Sequence, residues 1–101
     1  MLICRTTGTV VSTMKHERLH SRKLLMVRRS APDGTPNGDP FVAVDAIGAG
    51  EDEMVIVALG SAARETDATR ASPVDATIIG IIDSTAVGGK VSFAKSRERS
   101  A

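Results

Sequence analysis

Short apolar runs rich in β-branched residues, separated by glycine, proline and aspartate, constrain the fold of this chain most. Such side chains favour extended backbone, and strong turn signals lie between two of the runs, at Pro32–Gly34 and Asn37–Gly38. The runs are Leu2–Met14, interrupted by Gly8, and then Lys23–Arg29, Phe41–Val44, Met54–Leu59, Thr77–Ile82 and Val91–Ala94. Five to six short strands at this spacing predict an all-β fold, a small barrel or sandwich.

One segment, Ser61–Thr69, is predicted to be helical. Ser61 is an acceptable N-cap, and the following Ala62–Glu65 are good helix formers. The helix should last two turns at most, because Ser72–Pro73 blocks its continuation. The chain is therefore expected to form a single domain over residues 1–95, and the charged tail at residues 96–101 is expected to fray.

The interior must be built almost entirely from aliphatic side chains. Hydrophobic residues make up 42% of the 101 residues, yet Phe41 and Phe93 are the only aromatic ones. Ten valines and seven isoleucines dominate. A small aliphatic β-domain with so few bulky side chains often gains stability by burying surface against copies of itself, so self-association is an expectation.

Charge and cysteine content exclude several classes of protein. The net charge of +1 creates no global field that would attract nucleic acid or an anionic membrane. A single cysteine, Cys4, permits no intrachain disulfide and no cysteine zinc cluster, as is typical of a reducing cytoplasm. No apolar stretch approaches the ~20 residues of a membrane span. We expect a soluble intracellular protein without a membrane partner.

The stretch HERLH at residues 16–20 fits H-E-x-x-H, the signature of zinc proteases. The motif works only on a helix, where histidines four apart share one face and the glutamate activates the zinc-bound water. Here Leu19 stands alone, and the block Leu24–Val27 would cover every side of a helix, so a strand buried on both faces explains it better. The extended pattern requires glycine and histidine where Lys23 and Met26 stand, and the chain has only two histidines. We interpret HERLH as a solvated loop and predict no metal site.

The glycines of Gly48–Ala49–Gly50 also suggest a binding loop. Their position after a strand resembles the start of a dinucleotide-binding loop, but Glu53 stands where the third glycine is needed, and a strand follows. A tight β-turn whose glycines take positive φ is the better interpretation.

No other residues assemble into a catalytic pattern. Ser61 lacks the G-x-S-x-G elbow, and Cys4 lies within a predicted strand, where a cysteine is usually an inert apolar filler. The carboxylates of Asp45, Glu51, Asp75 and Asp83 are spread one to a turn, without pairs. We therefore expect neither an enzyme nor a cofactor.

A single-stranded nucleic-acid-binding module remains the alternative, because small barrels of the OB type often have this function. Such surfaces stack bases on exposed aromatic side chains within a basic groove. Phe41 and Phe93 are both expected in the core, which leaves no stacking platform. The basic residues could contact phosphate but are more simply a solvated face; they are Arg22, Lys23, Arg28 and Arg29.

A series of motifs along the chain resembles one protein family. The motifs are Gly8–Val11, Lys23–Val27, Asp45–Gly50, Gly60–Arg64, and Pro73–Asp75 followed by Ile79–Asp83. In this order they closely resemble the EutN/CcmL family, the pentameric vertex proteins of bacterial microcompartment shells. The resemblance extends from about Met1 to Lys95. Each motif alone is weak, but their succession in register is specific.

The resemblance implies a fold, a partner and a location. The fold is an OB-like β-barrel with a short helix, assembled as a cyclic homopentamer. The pentamer closes the corners of a polyhedral shell whose facets are hexameric proteins, in the bacterial cytoplasm. The resemblance implies no enzymatic activity and no cofactor.

It also implies which residues lie at the subunit interface or near the five-fold axis. These are Gly48, Ala49, Gly50, Gly60, Ser61, Ala62, Arg64, Pro73, Val74 and Asp75. Small residues from Gly60 onward would let five backbones converge, while Ser61 and Arg64 supply hydrogen-bond donors. Asp75 is a plausible partner of Arg64 or of a neighbouring backbone. Arg18, Arg22 and Lys23 are candidates for contacts with the hexamers.

Two positions depart from the family's pattern. Ala62 replaces the second serine of the segment Gly-Ser-Ser-Ala-Arg, which removes a hydroxyl and puts the polarity of a central opening in doubt. Asp52 stands where many members have a glycine before the glutamate of the Gly-Ala-Gly turn. We therefore expect the turn from Gly50 to Glu53 to differ locally.

Overall fold

The computed structural model describes residues 1–11, 23–66, 69 and 74–96. Within these ranges the chain forms seven strands and one 3₁₀ helix. They are β1 (Leu2–Val10), β2 (Lys23–Arg29), β3 (Phe41–Asp45), β4 (Met54–Leu59), the 3₁₀ helix (Gly60–Arg64), β5 (Ala76–Ile81), β6 (Ser84–Val87) and β7 (Lys90–Ala94). HERLH, Pro73 and residues 97–101 lie outside the described residues.

Five strands close into a barrel in the order β1-β2-β3-β5-β4. The neighbours are antiparallel except for β3 and β5, which run parallel and pair Val44 with Thr77. Closure removes the free sheet edges that would otherwise invite aggregation. The prediction of a small all-β barrel with one short helix is confirmed.

The barrel interior is aliphatic, as the composition predicts. Phe41 packs against the edge of the core, and Phe93 is 5% exposed, so neither aromatic ring forms an exposed platform. The core consists of Cys4, Leu25, Val27, Ala43, Ala49, Val55, Val57, Ala76 and Ile78. These side chains are small, and the burial of each removes modest apolar area from water.

Strands β6 and β7 form a separate hairpin that the sequence analysis predicted only in part. Its turn is Gly88–Gly89, where both residues take positive φ, at 60° and 80°, as a tight hairpin requires. Three described contacts hold the hairpin to the rest of the chain, and in one of them Thr85 Oγ1 donates to the Pro32 carbonyl at 2.5 Å. Arg5 lies 5.9 Å from the ring centre of Phe93, and Lys95 Nζ bonds Glu53 Oε2 at 2.7 Å.

The helix is shorter than predicted. Instead of Ser61–Thr69 it spans Gly60–Arg64, is a 3₁₀ helix and has no side-chain cap. Near its end, the carbonyl of Ala63 accepts the hydroxyls of Thr69 and Thr77, at 2.7 and 2.6 Å. Among the described residues, no helix is long and apolar enough to cross a membrane.

Candidate functional site

The loop that contains Gly48–Ala49–Gly50 is organised by one buried carboxylate. Asp45 Oδ1 accepts the backbone N–H groups of Ile47, Gly48 and Ala49 at 3.1, 3.0 and 3.1 Å. Lys23 approaches the other oxygen of Asp45 at 3.7 Å and donates to the Ala49 carbonyl at 2.6 Å. Gly48 takes a left-handed φ of 83°. These bonds fix the backbone of the loop where it leaves β3, and they occupy Lys23, which the sequence analysis placed among hexamer contacts.

Within this loop, Ala49, which the resemblance places at a subunit interface, has its side chain inside the barrel. It is fully buried in the barrel core, at 0% exposure, so its side chain supports the loop from inside and presents no surface to a neighbour. Its flanking glycines, Gly48 and Gly50, are exposed and partly exposed.

The turn from Gly50 to Glu53 is tied to the middle of β1. Thr6 Oγ1 donates to the Gly50 carbonyl and accepts the Glu53 N–H, both at 2.8 Å, and Glu53 Oε1 accepts the Gly50 N–H at 2.6 Å. The expectation that both glycines of the motif take positive φ is wrong for Gly50. The second left-handed residue is Asp52, at 57°, where an L-residue is strained and a glycine would fit.

The second group of predicted interface residues lies in the 3₁₀ helix and in the residues just before β5. Gly60 takes a φ of 61° and donates its N–H to the Asp75 carbonyl at 2.9 Å. Arg64 Nη1 donates to the Val74 carbonyl at 3.0 Å. The partner of Arg64 in this chain is thus a backbone oxygen next to Asp75. Ala63 packs beneath the helix in a small cluster with Val44 and Val74.

The predicted interface residues therefore form two groups that meet at one end of β3. Val44 lies under the 3₁₀ helix, and its neighbour Asp45 holds the Gly48 loop. Val74 is 7% exposed and supports its loop from within. The exposed members of the two groups are Gly48, Gly60, Ser61, Ala62, Arg64 and Asp75.

Four residues that the sequence analysis did not select hold these loops: Thr6, Asp45, Glu53 and Lys95. Asp45 followed by a glycine three residues later is a recognisable signal for side-chain capping of a turn. Thr6 and Lys95 are distant in sequence from the turn they hold, so no local pattern indicates them.

The described residues contain no reactive arrangement. Burial raises the pKa of the Cys4 thiol to about 11, against a smaller opposing effect of Arg29, so the thiol is protonated and unreactive at neutral pH. This agrees with the prediction of an inert filler. No group of three or more His, Cys, Asp or Glu side chains in the described part of the chain could hold a metal ion.

The fold and the site define a structural β-barrel domain. Its polar side chains are used to fix loop backbones, and its small exposed residues are left at the loop tips. The chain matches the family described as "Ethanolamine utilisation protein EutN/carboxysome" over residues 1–83. It belongs to this EutN/CcmL family, which confirms the resemblance found in the motifs.

Relatives and solved structures agree with this assignment. The chain is 44% identical over 95 residues to the bacterial microcompartment shell vertex protein EutN of Salmonella typhimurium, covering 94% of this chain and 96% of that protein. The structure of CcmL from Gloeobacter violaceus superposes with a TM-score of 0.88 at 40% identity, covering 95% and 99% of the two chains. The GrpN pentameric microcompartment shell protein from Rhodospirillum rubrum gives 0.77 at 42% identity, covering 86% and 99%.

Proposed function

We propose that this chain assembles into a homopentamer that caps the vertices of a polyhedral bacterial microcompartment shell. The observation that carries the proposal is the common fold with GrpN, a pentameric shell protein that is 42% identical and covers 86% of this chain. EutN of Salmonella typhimurium, whose name describes a shell vertex protein, is as similar. The mechanism is geometric, because five identical head-to-tail contacts close a ring that fits a five-fold corner.

The exposed loop residues face the neighbouring subunits near the five-fold axis. Gly60, Ser61 and Ala62 are small enough for five copies to approach closely, and Arg64 is already positioned by its bond to Val74. Gly48, Gly50 and Asp75 lie in the loops at the same end of the barrel. Of the remaining predicted residues, Ala49 and Val74 act from within the subunit, and Pro73 lies outside the described residues.

The assembled protein acts in the bacterial cytoplasm, within the shell. Its further partners are the hexameric proteins of the facets, which surround each five-fold corner. The proposed function requires no catalysis and no cofactor. Arg18 and Arg22, which lie outside the described residues, are candidates for contacts with the hexameric facet proteins.

Native mass spectrometry of the purified protein, with and without a chelator, tests the proposal. A species of five times the 10.6 kDa chain mass, unchanged by chelation, is the expected result. A monomer that loses zinc on chelation would refute the vertex function and would make HERLH a metal site. A hexamer would refute the five-fold assembly alone.

No observation favours the alternative of a nucleic-acid-binding module. Phe93 is buried and Phe41 packs against the core, so the described residues offer no aromatic stacking surface. Salt-sensitive binding to single-stranded DNA would revive the alternative.

A further inference from the structure

Strand β2 is apolar at consecutive positions, although the barrel interior covers only one of its faces. In β2 the side chains of Leu25 and Val27 are fully buried and those of Leu24 and Met26 point outward. Leu24 packs against the cluster under the 3₁₀ helix, whereas Met26 remains partly exposed. An antiparallel strand with one face in water normally alternates apolar and polar residues, and continuous apolar runs indicate burial on both faces. The sequence of β2 thus predicts a second covering layer.

The outward apolar residues form two rows across neighbouring strands. In the first, Ile3 of β1 pairs with Ile56 of β4, which pairs with Gly80 of β5. Cys4 is fully buried, so its neighbour Ile3 faces outward. The side chain of Ile56 extends over Gly80, where an added Cβ would lie 3.5 Å from Ile56 Cδ1. We call these residues the Ile56 row.

In the second row, Gly8 of β1 pairs with Met26 of β2, which pairs with Val42 of β3. An irregularity between Thr6 and Gly8 shifts the register of β1, so that Gly8 faces outward although Thr6 faces inward. Val42 is 46% exposed, and nothing lies within 4 Å of a Cβ built on Gly8. We call these residues the Met26 row.

The two rows lie on different flanks of the barrel. The strand order β1-β2-β3-β5-β4 closes on itself, so β4 lies across the barrel from the β2–β3 pair. Ile56 and Met26 therefore face away from each other. A head-to-tail ring requires two different complementary patches on each copy, whereas a two-fold dimer requires only one.

We infer that the Ile56 row of one copy packs against the Met26 row of the next, forming the side-wall contact of the ring. The inference rests on the proposed pentamer and names the surfaces that build it. Each row combines aliphatic side chains with one glycine. The space above Gly80 is covered by Ile56, whereas the space above Gly8 is open and leaves a shallow recess in the Met26 row that the side chains of the facing Ile56 row can fill. No charged group belongs to either row, so a second copy of this chain fits better than a charged partner.

A single charge in either row tests the inference. Val42→Glu places a carboxylate in the Met26 row, and Gly80→Glu places one in the Ile56 row. Each should raise the subunit concentration at which half the rings dissociate by at least about tenfold, because the contact would bury an unpaired carboxylate. Val42→Ile and Gly80→Ala keep the rows apolar and should shift that concentration less than about threefold. Analytical ultracentrifugation over a dilution series measures it.

Mixing the two charged variants tests whether the rows face each other. The Val42→Glu copy keeps an intact Ile56 row, and the Gly80→Glu copy keeps an intact Met26 row. A 1:1 mixture should therefore give a heterodimer that cannot extend, detected by native mass spectrometry with one copy isotopically labelled. If the separate variants are monomers and the mixture remains monomeric, the pairing of these two rows is wrong.

Further outcomes separate this inference from the proposed function. If the wild type is pentameric and both charged variants remain pentamers at unchanged concentrations, the inference is overturned while the proposed function stands. If native mass spectrometry shows that the wild type is not pentameric, the proposed function itself is refuted. Far-UV circular dichroism and cooperative unfolding check the fold of each variant, and Gly8→Glu and Ile3→Glu repeat the test if one does not fold.

Discussion

Removal of the Asp45 carboxylate should destabilise the fold by more than any change at an exposed loop residue. In Asp45→Ala, three backbone N–H groups lose a charged acceptor at 3.0–3.1 Å. Those of Ile47 and Gly48 belong to exposed residues and can turn to water, but Ala49 is fully buried. A buried donor left unsatisfied costs about 1–3 kcal/mol, and the lost charge-assisted bonds add to it.

The ion pair with Lys23 adds little to this sum. Its atoms are 3.7 Å apart and the lysine side chain is 50% exposed, so solvent screening leaves it below about 1 kcal/mol. We therefore expect Asp45→Ala to lose about 2–4 kcal/mol and Asp45→Asn about 1–2 kcal/mol, since the amide oxygen still accepts, but without charge. This is a large share of the ~5–15 kcal/mol that a domain has.

Urea unfolding at one fixed subunit concentration measures the loss, because assembly shifts the midpoint with concentration. Asp39→Ala is the matched control, since Asp39 is an exposed aspartate that lies outside the predicted interface residues. The amides of Ile47, Gly48 and Ala49 should also exchange faster with deuterium in Asp45→Ala. An Asp45→Ala loss within about 0.5 kcal/mol of the control would show that the carboxylate does not hold the loop.

Three further predictions follow from single positions. Asp52 has a φ of 57°, so Asp52→Gly should be more stable than Asp52→Ala by about 1 kcal/mol in urea unfolding. Both variants lose the exposed ion pair to Arg5, so this loss cancels in the comparison. Equal stabilities would exclude backbone strain at this residue. Cys4 has a pKa of about 11, so a maleimide at pH 7 should label it only in denaturant, and rapid labelling of the folded protein would contradict its burial. Gly60 has a φ of 61°, so Gly60→Ala should cost about 1–2 kcal/mol of stability. Gly60→Leu should also weaken the ring in light scattering, and an unchanged pentamer would count against the placement of this loop near the axis.

The strands were predictable because their signal is local. β2 and β4 begin and end at the predicted residues, since their apolar blocks are bounded by charged residues or glycine. Strand β6 was not predicted because Ser84–Val87 has only four residues and no apolar run, and three of the four residues are exposed in the structure. This segment is a strand because the Gly88–Gly89 turn lets it pair with β7. The strand propensity of a single segment does not reveal such pairing.

Residues of the candidate site could be predicted from the sequence only where a glycine or the family resemblance indicated them. The left-handed backbone at Gly48 and Gly60 has a clear residue preference, and both positions were selected. The burial of Ala49 was not evident, because an alanine between two glycines has the same local pattern whether it faces the core or a neighbour. The attachment of the Gly50 turn to Thr6 depends on strand register, which the barrel sets.

Loop order and ring formation should be linked in this protein. The barrel core is aliphatic and small, and the loops at its end are instead fixed by buried polar side chains, chiefly Asp45 and Thr6. A ring of five identical contacts repeats any displacement of a loop at every interface, so a loop that moves weakens all five contacts at once. Asp45 is itself buried and presents almost no surface to a neighbour, yet its removal should loosen the pentamer as well as the fold. Residues that only hold a loop in place can therefore matter as much to assembly as those that touch the neighbour.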